Sequence, residues 1–157
     1  MKKLIILCGL PRSGKSTWVK NNKTNEVVIS ADDLRYLVYN QRYWQEGESL
    51  MWSIREIMLK SIMQQGLDII IDETNTTKKR REPIVKLAKK YGYYIVGNIV
   101  ETDPEICRER VRREDNWTGD KDNEDNFNHE LLATINRMEK QFELPQIEEG
   151  FNELNMI

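Results

Sequence analysis

Eight residues near the N-terminus carry the most specific chemical signal in the chain: Gly9-Leu10-Pro11-Arg12-Ser13-Gly14-Lys15-Ser16. They match G-x-x-x-x-G-K-[ST] at every fixed position, a spacing that wraps backbone amides around phosphate groups. Glycine at positions 9 and 14 lets the chain approach an anion closely with its N–H groups turned inward. A helix expected from about Lys15 adds the partial positive charge of its N-terminus. Lys15 is placed to reach β- and γ-phosphates as a point charge, and the Ser16 hydroxyl to bind Mg²⁺. With Pro11, Arg12, Ser13 and Thr17, these residues form the expected lining of a site for ATP or another nucleoside triphosphate.

Such a loop serves GTPase switches, motors and kinases. None of the glycines has Asp three residues before it, and Asn22-Lys23-Thr24-Asn25 lacks the Asp of a guanine-reading N-K-x-D motif. The chain is also short for a motor. A kinase needs a base for the acceptor hydroxyl, an acidic strand end, and arginines to neutralise charge on the transferred group. Asp32 and Asp33, with Arg35 close behind, follow the second apolar run and offer the base. One of the two acids is also expected to cap the helix that follows. Asp72 and Glu73 end the third run, and Asp72 is the expected metal partner of Ser16. Arg108, Arg110, Arg112 and Arg113 crowd one helix.

These groups need a scaffold, and the pattern of short apolar runs alternating with helical periods predicts an α/β fold. Strands are expected at 4–8, 26–29, 67–71 and 93–100, with a short final strand within 151–157. Helices are expected from Lys15, over 49–65 and over 77–91. The first of the long pair buries Leu50, Met51, Ile54, Ile57, Met58 and Ile62 and stops at Gly66. Pro83 is an awkward interior residue of the second. A further helix starts at Asp103-Pro104-Glu105, an N-cap signature. The last spans 128–143, capped by Asn128, stapled by Phe127 and Leu132, and buried along Leu131, Ile135, Met138 and Phe142. Residues 114–126 are polar, acidic and aperiodic, which predicts a mobile loop.

The 157 residues suit one compact domain, and 39% apolar with 32% charged residues describes a water-soluble balance. Net charge is −2, so any contact with nucleic acid has to come from a local cluster. Cys8 and Cys107 lack zinc-like spacing and are expected as packing residues in a reducing compartment. The run after Met1-Lys2-Lys3 leads straight into Pro11-Arg12 with no cleavage site, so it reads as a buried strand. No run is long enough to span a membrane, and a cytoplasmic protein is expected.

The chain resembles the kinase domain of polynucleotide 5′-hydroxyl kinases of the bacteriophage and bacterial end-healing type. The resemblance rests on residues 9–18, on Ser30-Ala31-Asp32-Asp33-Leu34-Arg35, and on Asp72-Glu73-Thr74-Asn75 followed by Arg80-Arg81. It extends to Phe142-Glu143-Leu144-Pro145 and Glu149-Gly150-Phe151 in the tail. It implies a P-loop fold over residues 1–157, with a parallel sheet of about five strands flanked by helices and an arginine-bearing lid. It also implies ATP-dependent transfer of the γ-phosphate to the 5′-hydroxyl of RNA or DNA. Asp32 would then be the general base, Arg35 would hold the phosphate 3′ to the acceptor nucleoside, and a lid arginine would clamp the phosphates. The departures are Glu73 in place of Asp, and Glu114 where a second lid arginine usually follows Arg110. The acting arginine stays open among Arg110, Arg112 and Arg113, with Arg113 preferred. No phosphatase or ligase segment is recognisable, so such a partner would be a separate protein; nothing in the pattern fixes an oligomeric state. The alternative is a kinase of a small metabolite or nucleoside, favoured by the acids at 114, 115, 120, 122, 124 and 125, which would repel a long phosphodiester. Arg35 and the basic run 78–81, able to grip phosphates near an end, favour the polynucleotide.

Overall fold

The computed structural model describes residues 1–113 and 124–157, without the side chains of 124–127. Its strands are β1 Lys3–Cys8, β2 Val27–Ser30, β3 Ile69–Asp72, β4 Tyr94–Ile99 and β5 Glu153–Met156. They form one sheet in the order β2-β3-β1-β4-β5, with every adjacent pair parallel. The helices are α1 Lys15–Asn22, α2 Ala31–Tyr39, α3 Gln45–Gln65, α4 Lys78–Lys90, α5 Pro104–Arg112 and α6 Glu124–Lys140. This is the expected P-loop α/β fold, with β1 at its centre.

The alternation of β1 divides the core. Leu4, Ile6 and Cys8 join the larger cluster with Met51, Leu59, Met63, Ile84 and Phe151. Ile5 and Leu7 face the other way, onto Val19 and Trp18 of α1. A third cluster sets Leu10 against Cys107, Val111 and Ile135, so α5 and α6 pack directly on the loop that follows β1. Leu131, Met138 and Phe142 extend this stripe as expected. Both cysteines are free and buried. Among the described residues no helix is long and apolar enough to cross a membrane.

Several local expectations need correction. Neither Asp32 nor Asp33 caps α2: Ser30 is the N-cap, and its hydroxyl accepts from the Asp33 N–H at 3.2 Å. Helix α3 starts a turn earlier than expected and turns differently, burying Arg55 and Leu59 while Leu50 and Ile57 are exposed. Leu67 is exposed and precedes β3 rather than belonging to it. Helix α6 begins at Glu124, so Asn128 lies inside it and is not its cap. The Phe127 staple and positions 114–123 of the expected loop lie outside the described residues. Helix α4 runs through Pro83 from Lys78, and its start is close to expectation.

The basic run 78–81 is not a uniform surface. Arg81 is fully buried; its Nε and Nη2 donate to the Glu149 carboxylate at 2.8 and 2.7 Å, and its Nη1 donates to the Asn75 carbonyl. Glu149 belongs to a short 3-10 helix, Ile147–Glu149, so this pair pins the tail beneath the turn after β3. Removing one partner of such a pair strands the other's charge in the interior. Arg81→Met should therefore cost about 3–5 kcal/mol of unfolding free energy in urea titrations. Arg81→Met combined with Glu149→Leu should recover most of that loss; equal losses in the single and double variants would deny that the stranded charge is the cause.

Candidate active site

The turn after β1 is built to hold an anion. Gly9 N–H donates to the Thr74 carbonyl at 2.9 Å, drawing the loop toward the end of β3. A Cβ on Gly9 would stand 2.8 Å from the Ser13 hydroxyl and 3.1 Å from the Val100 carbonyl, so no side chain fits there. Gly14 has φ +108 and Arg12 has φ +64, and these left-handed residues curl the backbone just before α1. The curl is tied from outside. Thr102 Oγ1 donates to the Ser13 carbonyl at 2.7 Å, and Arg110 Nη1 donates to the Arg12 carbonyl at 2.8 Å.

Lys15 is buried, and its Nζ donates to the carbonyls of Gly9 and Leu10 at 3.1 and 2.6 Å and to Ser13 Oγ at 3.3 Å. Burial pulls this ammonium from its ordinary 10.5 down to about 8, against the opposing charge of Asp72 and, less strongly, Asp32. The parallel register sets Ser30 beside Asp72, which brings the start of α2 and the end of β3 to the same rim. Burial raises the Asp72 carboxyl above its usual range, while a hydrogen bond with Ser16 and the charge of Lys15 act the other way. A hydroxyl and a carboxylate in contact give hard oxygen donors of the kind Mg²⁺ takes, with phosphate oxygens and water completing its shell. Ser16 and Asp72, joined by their hydrogen bond, fit this shared mode.

A cleft of about 1500 Å³ opens over the loop. Residues 11–17, Asp32, Arg35, Asp72, Arg110 and Arg113 all line it, so the expected site residues other than Gly9 converge there. Asp32 is 84% exposed, and its Oδ1 accepts from Arg35 Nη1 at 2.8 Å. Arg35 is held more firmly than its sequence position suggests. Its Nε and Nη2 donate to both oxygens of Glu48 on α3 at 2.7 and 2.8 Å, and its guanidinium lies 6.0 Å from the Trp52 ring centre. Burial raises Glu48, but hydrogen bonds from Arg35 and Tyr39 outweigh it and hold the carboxyl below its usual range. Glu73, the residue that departs from the family pattern, is likewise engaged: Arg55 of α3 donates to its two oxygens at 2.8 and 3.0 Å.

The lid arginines separate. Arg112 donates to Glu105 at 2.8 Å, and Arg108 bridges Glu105 and Glu139 at 2.7 Å each, both away from the cleft lining. Arg110 and Arg113 line the cleft; Arg113 donates to Glu109 at 3.0 Å and is 78% exposed. Sequence reasoning missed Arg42, Arg137, Glu48 and Arg55. For Arg137 a signal existed: Glu130, Ala133, Thr134 and Arg137 share one face of α6 by their spacing, and all four line the cleft.

A family model described as AAA domain matches residues 4–145. The L-seryl-tRNA(Sec) kinase of Methanococcus maripaludis is 26% identical over 96 residues, 55% of this chain and 36% of that protein. Among solved structures, a chain of the Pnkp1/Rnl/Hen1 RNA repair complex superposes with a TM-score of 0.67 at 21% identity, over 90% of this chain and 46% of that one. Kti12 of Chaetomium thermophilum, bound to ADP-AlF3, gives 0.66 at 18% identity, over 98% and 88%. At these identities the structural matches establish the fold, and the chain spans less than half of the RNA repair protein.

The Lys15 environment gives a pH test with a defined sign. Without ligand the ammonium loses its proton near pH 8, whereas a bound triphosphate favours the charged form and raises its pKa. ATP binding at pH 8.5 should therefore take up roughly half a proton or more, and affinity should fall as pH rises above 8. Calorimetry in buffers of different ionisation enthalpy measures the uptake. Lys15→Met should abolish it, and uptake that persists in this variant would assign the proton elsewhere.

Proposed function

Because the chain belongs to the AAA domain family and has the P-loop kinase fold, we propose that it transfers the γ-phosphate of ATP to the 5′-hydroxyl end of a polynucleotide. The observation carrying this reading is the cleft's arginine content. Arg35, Arg42, Arg80, Arg110, Arg113 and Arg137 gather around the phosphate loop of a protein whose net charge is −2. A triphosphate and an acceptor phosphate together need such a local concentration of cations. The Pnkp1 likeness within an RNA repair complex supports a nucleic-acid acceptor. The same reading includes a ligase or phosphatase as a partner activity.

In this mechanism the loop amides and Lys15 hold the β- and γ-phosphates. Ser16 and Asp72 would hold a Mg²⁺ ion, which would supply charge neutralisation for the triphosphate. Arg35 positions the acceptor through the phosphate 3′ to its terminal nucleoside. Asp32, open to the cleft, accepts the hydroxyl proton as that oxygen bonds to the γ-phosphorus. The bond from the γ-phosphorus to the bridging oxygen breaks, and the nucleoside diphosphate leaves. Arg110 and Arg113 neutralise charge on the transferred group and its neighbours. A second reading, a small metabolite or nucleoside as acceptor, is favoured by the acids within 114–125 of the sequence.

Labelling with γ-labelled ATP decides between the two. Oligonucleotides with a 5′-OH should accept the label while sugars and free nucleosides do not; equal labelling of simple metabolites would replace the first reading with the second. Asp32→Ala should reduce turnover by about 10²–10⁴-fold with ATP affinity nearly intact, and retained turnover would remove Asp32 as the base. At least one of Arg110→Ala and Arg113→Ala should cost about 10³-fold in kcat. Losses below about tenfold at both would exclude either as the arginine acting on the transferred group.

A further inference from the structure

A second cavity, of about 1250 Å³, lies between α3, α4 and the end of α6. It is not separate from the active-site cleft, because Trp52, Glu73 and Arg80 line both. Its volume exceeds the roughly 300–1,000 Å³ of small-molecule pockets, and the reading above assigns the donor and the reacting end to the cleft beside it. Its floor is internally neutral, since the Arg55–Glu73 pair is almost wholly buried.

The rim is not neutral. Lys60 of α3, Lys79 and Arg80 of α4 and Lys140 of α6 line it and are exposed, against the acids Glu56 and Glu143. Glu143 is committed to the scaffold: its carboxylate accepts from the Lys78 N–H at 2.7 Å, and its own N–H donates to the Thr76 carbonyl at 2.9 Å. That lacing fixes the chain after α6 against the start of α4 and holds one wall in place. The groove is therefore a formed, cation-rimmed channel leading away from the Arg35–Trp52 contact, where the reading above places the first acceptor phosphate. A cationic groove that tracks a backbone, with an aromatic ring at its mouth, suits single-stranded nucleic acid.

We propose that this groove receives the nucleotides 3′ of the phosphorylated end, so that the enzyme engages a single strand several nucleotides long. The inference rests on the polynucleotide reading and specifies where the rest of that acceptor lies. Lys60, Lys79 and Lys140 are the cations offered to its phosphates, and Arg80 marks the junction between cleft and groove.

The test compares the wild type with the charge-reversed pair Lys60→Glu/Lys140→Glu, which alters exposed side chains alone. Acceptors run from a nucleoside 3′-phosphate through 5′-OH oligonucleotides of increasing length to a dodecamer. In the wild type, kcat/KM should rise about tenfold or more with length before levelling, and raised salt should erase much of the rise. The Glu pair should flatten the length dependence while the nucleoside 3′-phosphate keeps its wild-type rate; Lys60→Arg/Lys140→Arg should behave as wild type. A wild type indifferent to length, or a Glu pair that keeps the full rise, overturns the groove and leaves the 5′-hydroxyl reading standing. Should none of these acceptors take label while a sugar or free nucleoside does, the functional reading itself falls, and the groove with it.

Discussion

A buried ammonium surrounded by backbone carbonyls is the constraint around which the structure is arranged. Lys15 is almost wholly excluded from water, and its hydrogen-bond partners are two carbonyls and a hydroxyl of the same loop. Charge held this way is costly unless an anion arrives to meet it. The loop that closes on the lysine is also tied on several sides: Thr74 through Gly9, Thr102 through Ser13, and Arg110 through Arg12. Those ties come from the turn after β3, the segment after β4 and α5, so the parallel sheet and the lid helix both shape the cradle. The central place of β1 makes this possible, because its C-terminal end opens between the ends of β3 and β4.

Three bidentate ion pairs brace the helices around the sheet: Arg35 with Glu48, Arg55 with Glu73, and Arg81 with Glu149. The first joins α2 to α3, the second joins α3 to the residue after β3, and the third joins the chain's tail to the start of α4. Pairs of this kind add little net stability over apolar packing, but their fork geometry fixes direction. Arg35 illustrates the consequence. With Glu48 gripping Nε and Nη2, its Nη1 is the edge presented to Asp32.

Much of this was legible in one dimension. The phosphate loop declares itself because each of its fixed residues has a separate physical duty, and the first four strands follow from apolar runs bounded by turn residues. The Asp103-Pro104 start of α5 was legible for the same reason, with the Asp103 side chain accepting from the Glu105 N–H at 2.7 Å. What escaped were features whose partners lie far away in sequence. Arg55 falls in a helix whose apolar residues suggest a different buried face, and only Glu73, eighteen positions on, explains its burial. Arg81 looks like one of four surface cations until Glu149, sixty-eight positions away, claims it. Ser30 took the capping role from two aspartates because β2 extends one residue further than its apolar run. The divergence of Arg110 and Arg113 from Arg108 and Arg112 depends on which way α5 faces, and that is set by its packing against Leu10 and α6.

The functional reading needs the backbone N–H groups of residues 12–17 and the ammonium of Lys15 to close around a nucleotide's phosphates. Backbone amide proton chemical shifts, followed as ATP and Mg²⁺ are added, test it most directly. Large downfield shifts confined to Ser13, Gly14, Lys15, Ser16 and their immediate neighbours are the outcome this account requires. Unchanged shifts through that loop, with nucleotide-dependent changes elsewhere in the chain, would contradict it.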